Sequence, residues 1–152
     1  MTEFDLQDSL FQRFLSLDVF ARVYGYEGEP FILKDDDGNF TNVHFPNIPF
    51  EVPEDGRWFD LTFKSNEPSS AALMEDAQNR YTGVLYIDIY VPADSGEDEA
   101  RAKYEWIARL FSRDLYFDSV AIMNCYVSTK GNDAGSYRLQ CAVEWTADID
   151  KE

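Results

Sequence analysis

The sequence predicts one α+β domain, an antiparallel or mixed sheet with helices on one face. Three observations carry this. Two segments repeat apolar residues every three to four positions, several others alternate apolar and polar residues, and the order runs helix, strands, strand, helix, hairpin instead of repeating strand-helix units. The 152 residues suffice for one core. A composition 45% hydrophobic and 16% aromatic can fold a chain whose charge excess would otherwise suggest disorder. Residues 1–152 therefore read as a single domain, with an N-terminal helix and variable region at 1–40, a core at 43–146 and an acidic tail at 147–152.

Thr2 is placed to cap a helix that carries Phe4, Leu6, Leu10, Phe11, Phe14 and Leu15 on one stripe and ends near Leu17. Val19 to Tyr24 predicts a short strand closed by Gly25 and Gly28, and Phe31-Ile32-Leu33 a second apolar fragment after Pro30. Lys34 to Asn39 has the oxygens of a calcium loop but not its register. With Gly38 as sixth residue, His44 takes the twelfth place, where a bidentate glutamate belongs, so an acidic turn is expected. Asn47 to Pro53 alternates, but its prolines restrict it to an edge or extended segment. Arg57 to Lys64 alternates cleanly, with Phe59, Leu61 and Phe63 on one face and Trp58, Asp60 and Thr62 on the other.

Residues 65–79 are polar and small, which predicts a long mobile loop with a helical turn around Ala71 to Asp76. From Arg80 to Pro92 the chain reads as a strand whose core face carries Leu85, Ile87, Ile89 and Val91, and whose other face carries Val84, Tyr86, Asp88 and Tyr90. Ser95 and Asp98 resemble a capping box, and a helix follows from about Gly96 to Arg113. It buries Ala100, Tyr104, Ile107 and Phe111 and sets Glu97/Arg101, Glu99/Lys103 and Glu105/Arg109 one turn apart. Val120 to Ser128 and Tyr137 to Thr146 predict a hairpin; with its centre at Asp133, Cys125 and Cys141 lie opposite each other, most simply as small buried hydrophobes.

Thirteen Lys and Arg against 29 Asp and Glu give a formal charge of -16, which argues against binding to a phosphate backbone. The N-terminus lacks a basic and apolar leader pattern and no run reaches membrane-span length, so a soluble, non-exported protein is expected. Catalytic groups are scarce. His44 is the one histidine, and no nucleophile elbow, glycine-rich phosphate loop or Cys/His metal spacing accompanies it. No cofactor or metal is expected. Asp60 and Asp88 could pair across neighbouring strands as hydrolase carboxylates do, but two acidic residues on an acidic face also arise by chance. The aromatic residues Trp58, Tyr86 and Tyr90, with Trp106 off the helix stripe, are not needed by the core, and beside Asp88 they form a candidate contact surface for other subunits or partners.

Asn47-Ile48-Pro49-Phe50, Trp58 to Phe63, the pattern RxxGxLxIxIxxP from Arg80 to Pro92, then Gly96 and Ala100 through Phe111 resemble the tail-terminator-like family of long-tailed phages, over roughly residues 43–146. The resemblance implies a non-enzymatic ring protein of the virion's head-tail junction, assembled in the host cytoplasm. Such a subunit, usually one of six and in some cases monomeric until it meets the tube, caps the tail tube protein, stops its polymerisation and presents a docking surface to the head-completion or neck protein. DNA passes through the ring without specific binding, and no membrane is involved. The strand from Gly83 to Pro92 and the helix from Gly96 to Phe111 carry over as scaffold, with no catalytic residue. Residues 1–40 match weakly. Two other classes fit parts of the sequence: a neighbouring head-tail connector, and an acidic DNA mimic that binds a basic partner in a salt-sensitive way.

Overall fold

A computed structural model describes residues 3–25, 41–66, 69–70, 79–93 and 96–149. The elements are α1 (Glu3–Leu15), α2 (Leu17–Val23), β1 (Val43–His44), β2 (Trp58–Ser65), β3 (Ser69–Ser70), β4 (Asn79–Pro92), α3 (Gly96–Leu110), β5 (Tyr116–Phe117), β6 (Val120–Asp133) and β7 (Ser136–Ile149). They form an α+β domain around one mixed sheet in the order β1-β2-β4-β7-β6-β5, with β3 paired to β4. Strand β1 runs parallel to its neighbour, β2; the other pairings among the described residues are antiparallel.

Alternation along β4 decides what the sheet buries. Leu85, Ile87, Ile89 and Val91 are fully buried, and Leu139, Cys141 and Val143 of β7 lie beside them on the same face. This is the inner face. Helix α3 covers it with Ala100, Ile107 and Leu110, and Phe111 follows the helix into the core. Helix α1 adds Leu6, Leu10 and Phe14, whose ring meets Phe59 of β2 edge-on at 5.3 Å. Arg13 joins the two helices: its Nε and Nη2 donate to the Leu110 carbonyl at 3.3 and 3.0 Å. That carbonyl ends α3 and lacks a helical donor, and a cation there also suits the helix dipole.

Several expectations are corrected. Val19 to Tyr24 is helix, not strand. β-branched and aromatic residues suggested a strand, but burial falls on Leu17 and Ala21, one helical turn apart, and Ser16 breaks the chain from α1 by donating its Oγ–H to the Arg13 carbonyl at 2.6 Å. Phe4 is 76% exposed and leaves the apolar stripe. Helix α3 stops at Leu110, three residues short of Arg113. In the i,i+4 series Arg101 does reach Glu97 at 3.3 Å, while Glu99 pairs instead with Arg57 at 2.9 Å and Arg109 lies over the Trp106 ring at 4.4 Å. Residues 45–57 form no strand; of the 43–53 segment only Val43–His44 joins the sheet. The base of the loop at 65–79 is closed by β3, which pairs Ser69 with Arg80 and Ser70 with Asn79. Thr2, residues 26–40 with Lys34 to Asn39, the helical turn at 71–76, Ser95 and the last acidic residues lie outside the described residues, while 147–149 of the expected tail belong to β7.

The C-terminal hairpin is longer than expected. Strands β6 and β7 take in most of the residues read as a connection and turn on Ala134 and Gly135 alone, both with positive φ, 48° and 86°, as a two-residue hairpin turn requires. Register shifts between Ile122 and Asn124 and between Val127 and Thr129 mark bulges in β6 at Met123 and Ser128. Cys125 therefore pairs with Val143 and Cys141 with Val127, so the cysteines are diagonal neighbours and not direct partners.

Gly83 is a tight point of the sheet. A Cβ there would collide with the Lys64 carbonyl and stand 2.7 Å from the Trp145 ring, which is itself buried and stacked on Phe63 at 5.3 Å. Gly83→Ala is therefore expected to lower stability by about 1–3 kcal/mol, the usual cost of overpacking, read as a lower urea midpoint with an unchanged slope.

Candidate interface on the open face of the sheet

The opposite face of the sheet carries no helix among the described residues, and four of the five sequence-predicted contact residues gather there. Trp58 of β2 pairs across the strands with Tyr90 of β4, and their rings stack at 4.0 Å and 2°. Phe50, from the irregular segment after β1, leans on Trp58 at 5.0 Å and stacks on His44 at 5.1 Å. Four residues back along β4, Tyr86 lies under the Lys64 ammonium at 5.6 Å. Stacked rings carrying a cation are amphipathic contact groups, apolar enough to be covered and polar enough to stay in water.

Charged residues run between these rings. His44, Asp60, Asp88 and Gln140 occupy one transverse row through β1, β2, β4 and β7. His44 Nδ1 lies 3.3 Å from Asp60 Oδ1, and Arg138 Nη2 donates to both Asp88 oxygens at 3.2 Å. Asp88, expected on the outer face of the sheet, is 5% exposed, with the Arg138 guanidinium on both its oxygens. Burial raises the Asp60 carboxyl above its ordinary pKa. His44 opposes that shift, Asp88 adds to it, and Arg138 opposes it.

Four of the five predicted contact residues, Trp58, Tyr86, Asp88 and Tyr90, thus share one face. Trp106 does not. It sits on α3, on the inner side of the sheet, half-buried against the core with Arg109 over its ring. His44, Phe50 and Arg138 complete the cluster; strand register brings His44 and Arg138 there, and the irregular segment after β1 brings Phe50. Asp60 and Asp88 are direct cross-strand partners, as a carboxylate pair would be, but Arg138 occupies both oxygens of Asp88. At the other end of the open face a groove of about 850 Å³, lined in part by Thr82, Val84, Glu144, Thr146 and Met123, includes neither aspartate.

A protein family described as phage tail terminator protein matches residues 38–145. The chain belongs to this family of bacteriophage structural proteins, whose members serve tail assembly. Among curated proteins none matches. A solved structure 15% identical to the chain covers 96% of it, and 96% of its own length, with a TM-score of 0.59; at that identity the likeness speaks for the fold alone. Among the described residues no helix is long and apolar enough to cross a membrane.

Two outcomes test the polar row. Arg138→Met strands the buried Asp88 carboxylate and is expected to cost about 3 kcal/mol in urea unfolding, with part of that recovered in the Arg138→Met/Asp88→Leu double variant. A raised carboxyl pKa in the folded state favours its protonated form, so the stability contributed by Asp60 is full below the ordinary carboxylate range and is lost as pH rises through the raised value. The stability of Asp60→Asn relative to the parent chain should therefore improve as pH rises above the ordinary carboxylate range, about pH 4. A flat difference over that rise would show that Asp60 titrates as an ordinary exposed carboxylate.

Proposed function

We propose that this chain ends the tail of a long-tailed phage as one subunit of a ring, six copies by the family's habit, that caps the tail tube, stops its polymerisation and offers the head-completion protein a docking surface. The family match over residues 38–145 is the observation that carries this reading. Two features of the chain support it. The open sheet face presents Trp58 stacked on Tyr90, and Tyr86 beneath Lys64, an arrangement that suits protein contact because side chains already held by neighbours lose little freedom on binding. The formal charge of -16 per subunit suits a passage for DNA, since any share of it lining a lumen repels the phosphate backbone over roughly 8 Å at physiological salt. DNA then slides without sticking.

A heterologous contact that closes by rotation yields a ring and not a filament, which is what ending growth requires. In this reading the aromatic face of β2 and β4 meets a neighbouring subunit or the tube, and the chain acts without catalysis. The acidic-mimic alternative needs carboxylates displayed like phosphates, whereas Asp60 and Asp88 are engaged by His44 and Arg138.

The test is light scattering of the purified chain, alone and with tail tube protein, with tube lengths read by electron microscopy. Capping should give discrete particles and tubes that stop elongating. Tyr86→Ser/Tyr90→Ser should weaken that association about tenfold or more while leaving the monomer folded by circular dichroism. A folded double variant that caps as well as the parent chain would remove these tyrosines from the interface, and a parent chain that ignores the tube would overturn the terminator reading.

A further inference from the structure

We propose that Cys125 and Cys141 form a dithiol-disulfide couple that staples β6 to β7 when the protein meets an oxidant. The two sulfurs lie 3.4 Å apart on the inner face of the sheet, both as free thiols. A disulfide needs about 2.05 Å, so closure asks for an approach of roughly 1.4 Å, and because diagonal neighbours in an antiparallel sheet typically stand ~7–8 Å apart, the approach includes a shift of the β6 backbone. The place where the pair sits allows it. Residues 124–127 of β6 lie between the two bulges, and among the described residues β5 pairs with β6 only at Val120 and Ala121. Among the described residues this stretch is held in the sheet by β7 on one side alone. From above, the Tyr104 hydroxyl of α3 donates to the Cys125 carbonyl at 3.4 Å, a single long bond.

The two thiols differ in access, and that sets the order of events. Cys125 is half-buried at the sheet edge while Cys141 is fully buried. With oxidised glutathione as oxidant, the Cys125 thiolate attacks one glutathione sulfur. The glutathione disulfide breaks, one glutathione leaves as thiolate, and Cys125 carries the other as a mixed disulfide. Cys141 then gives up its proton and attacks Cys125 Sγ, the second glutathione leaves, and the Cys125–Cys141 bond forms. Two protein thiols are oxidised and one glutathione disulfide is reduced to two thiols. The hydrogen bond with the Cys125 thiol and burial hold the Cys141 pKa well above its usual value; burial persists once Cys125 carries glutathione, which makes the second step the slow one.

The chemistry stands whether or not the chain caps a tail. If it does, the couple stays reduced in the cytoplasm where the particle is built and closes after release into an oxidising medium. The full chain, treated with oxidised glutathione or held in a phosphine reductant, gives the test. Expected are loss of both titratable thiols, an intact mass lower by roughly 2 Da, and a thermal midpoint raised by about 5–10 °C, fully reversed by the reductant. Cys141→Ser should stop at the glutathione adduct on Cys125. A parent chain that also stops at that adduct, that forms disulfide-linked dimers, or that keeps both thiols would overturn the proposal.

Discussion

The antiparallel ladder between β4 and β7 is the constraint on which the rest of the structure depends. It pairs every residue from Asn79 with Ile149 to Pro92 with Ser136 without a break. Sliding it by one position would carry Leu85, Ile87 and Ile89 to the open face and Tyr86, Asp88 and Tyr90 into the core. The core fixes the ladder, and the ladder in turn aims the open face. Gly83 shows how tight the fit is: the Trp145 ring and the Lys64 carbonyl fill the space that any side chain would need. Asp88 shows the same constraint from the polar side, since a carboxylate buried to that degree is held by a guanidinium placed two residues along the partner strand.

What the sequence made legible follows from how local each signal is. The alternation in β4 and the stripe of α3 are properties of consecutive residues, and both were readable with their buried faces correctly assigned. Val19 to Tyr24 was not, because six residues are too few to separate two periods, and the composition pointed the other way. The hairpin was misjudged at its tip. Gly131, Asn132 and Asp133 have the chemistry of a turn, yet pairing with a β7 strand already committed along its whole length to β4 carries them into the sheet. The aromatic face was legible through Trp58, Tyr86 and Tyr90. Its partners Phe50, His44 and Arg138 were hidden, because Arg138 reaches Asp88 across fifty positions and only the register between strands sets that meeting.

Charge is distributed unevenly between roles. The cations that bridge elements, Arg57 to Glu99, Lys130 to Glu97 and Arg80 to Asp148, are partly exposed and each contributes little to stability. With 13 basic residues against 29 acidic ones, most carboxylates must remain in solvent whatever the pairing. The resulting field opposes close approach of further acidic surfaces. Any stable contact between copies must therefore rest on apolar and aromatic area large enough to outweigh that repulsion, and raising the salt concentration should favour it.

The two bulges in β6 have a meaning beyond the hairpin. A long strand at the rim of a sheet is a template on which other chains can add themselves, row after row, and a flat one has no natural stopping point. Here the extra residues Met123 and Ser128 throw the donor and acceptor groups of that rim out of step. A member of the phage tail terminator family thus carries, in its own rim, a built-in barrier against seeding an unwanted fibre.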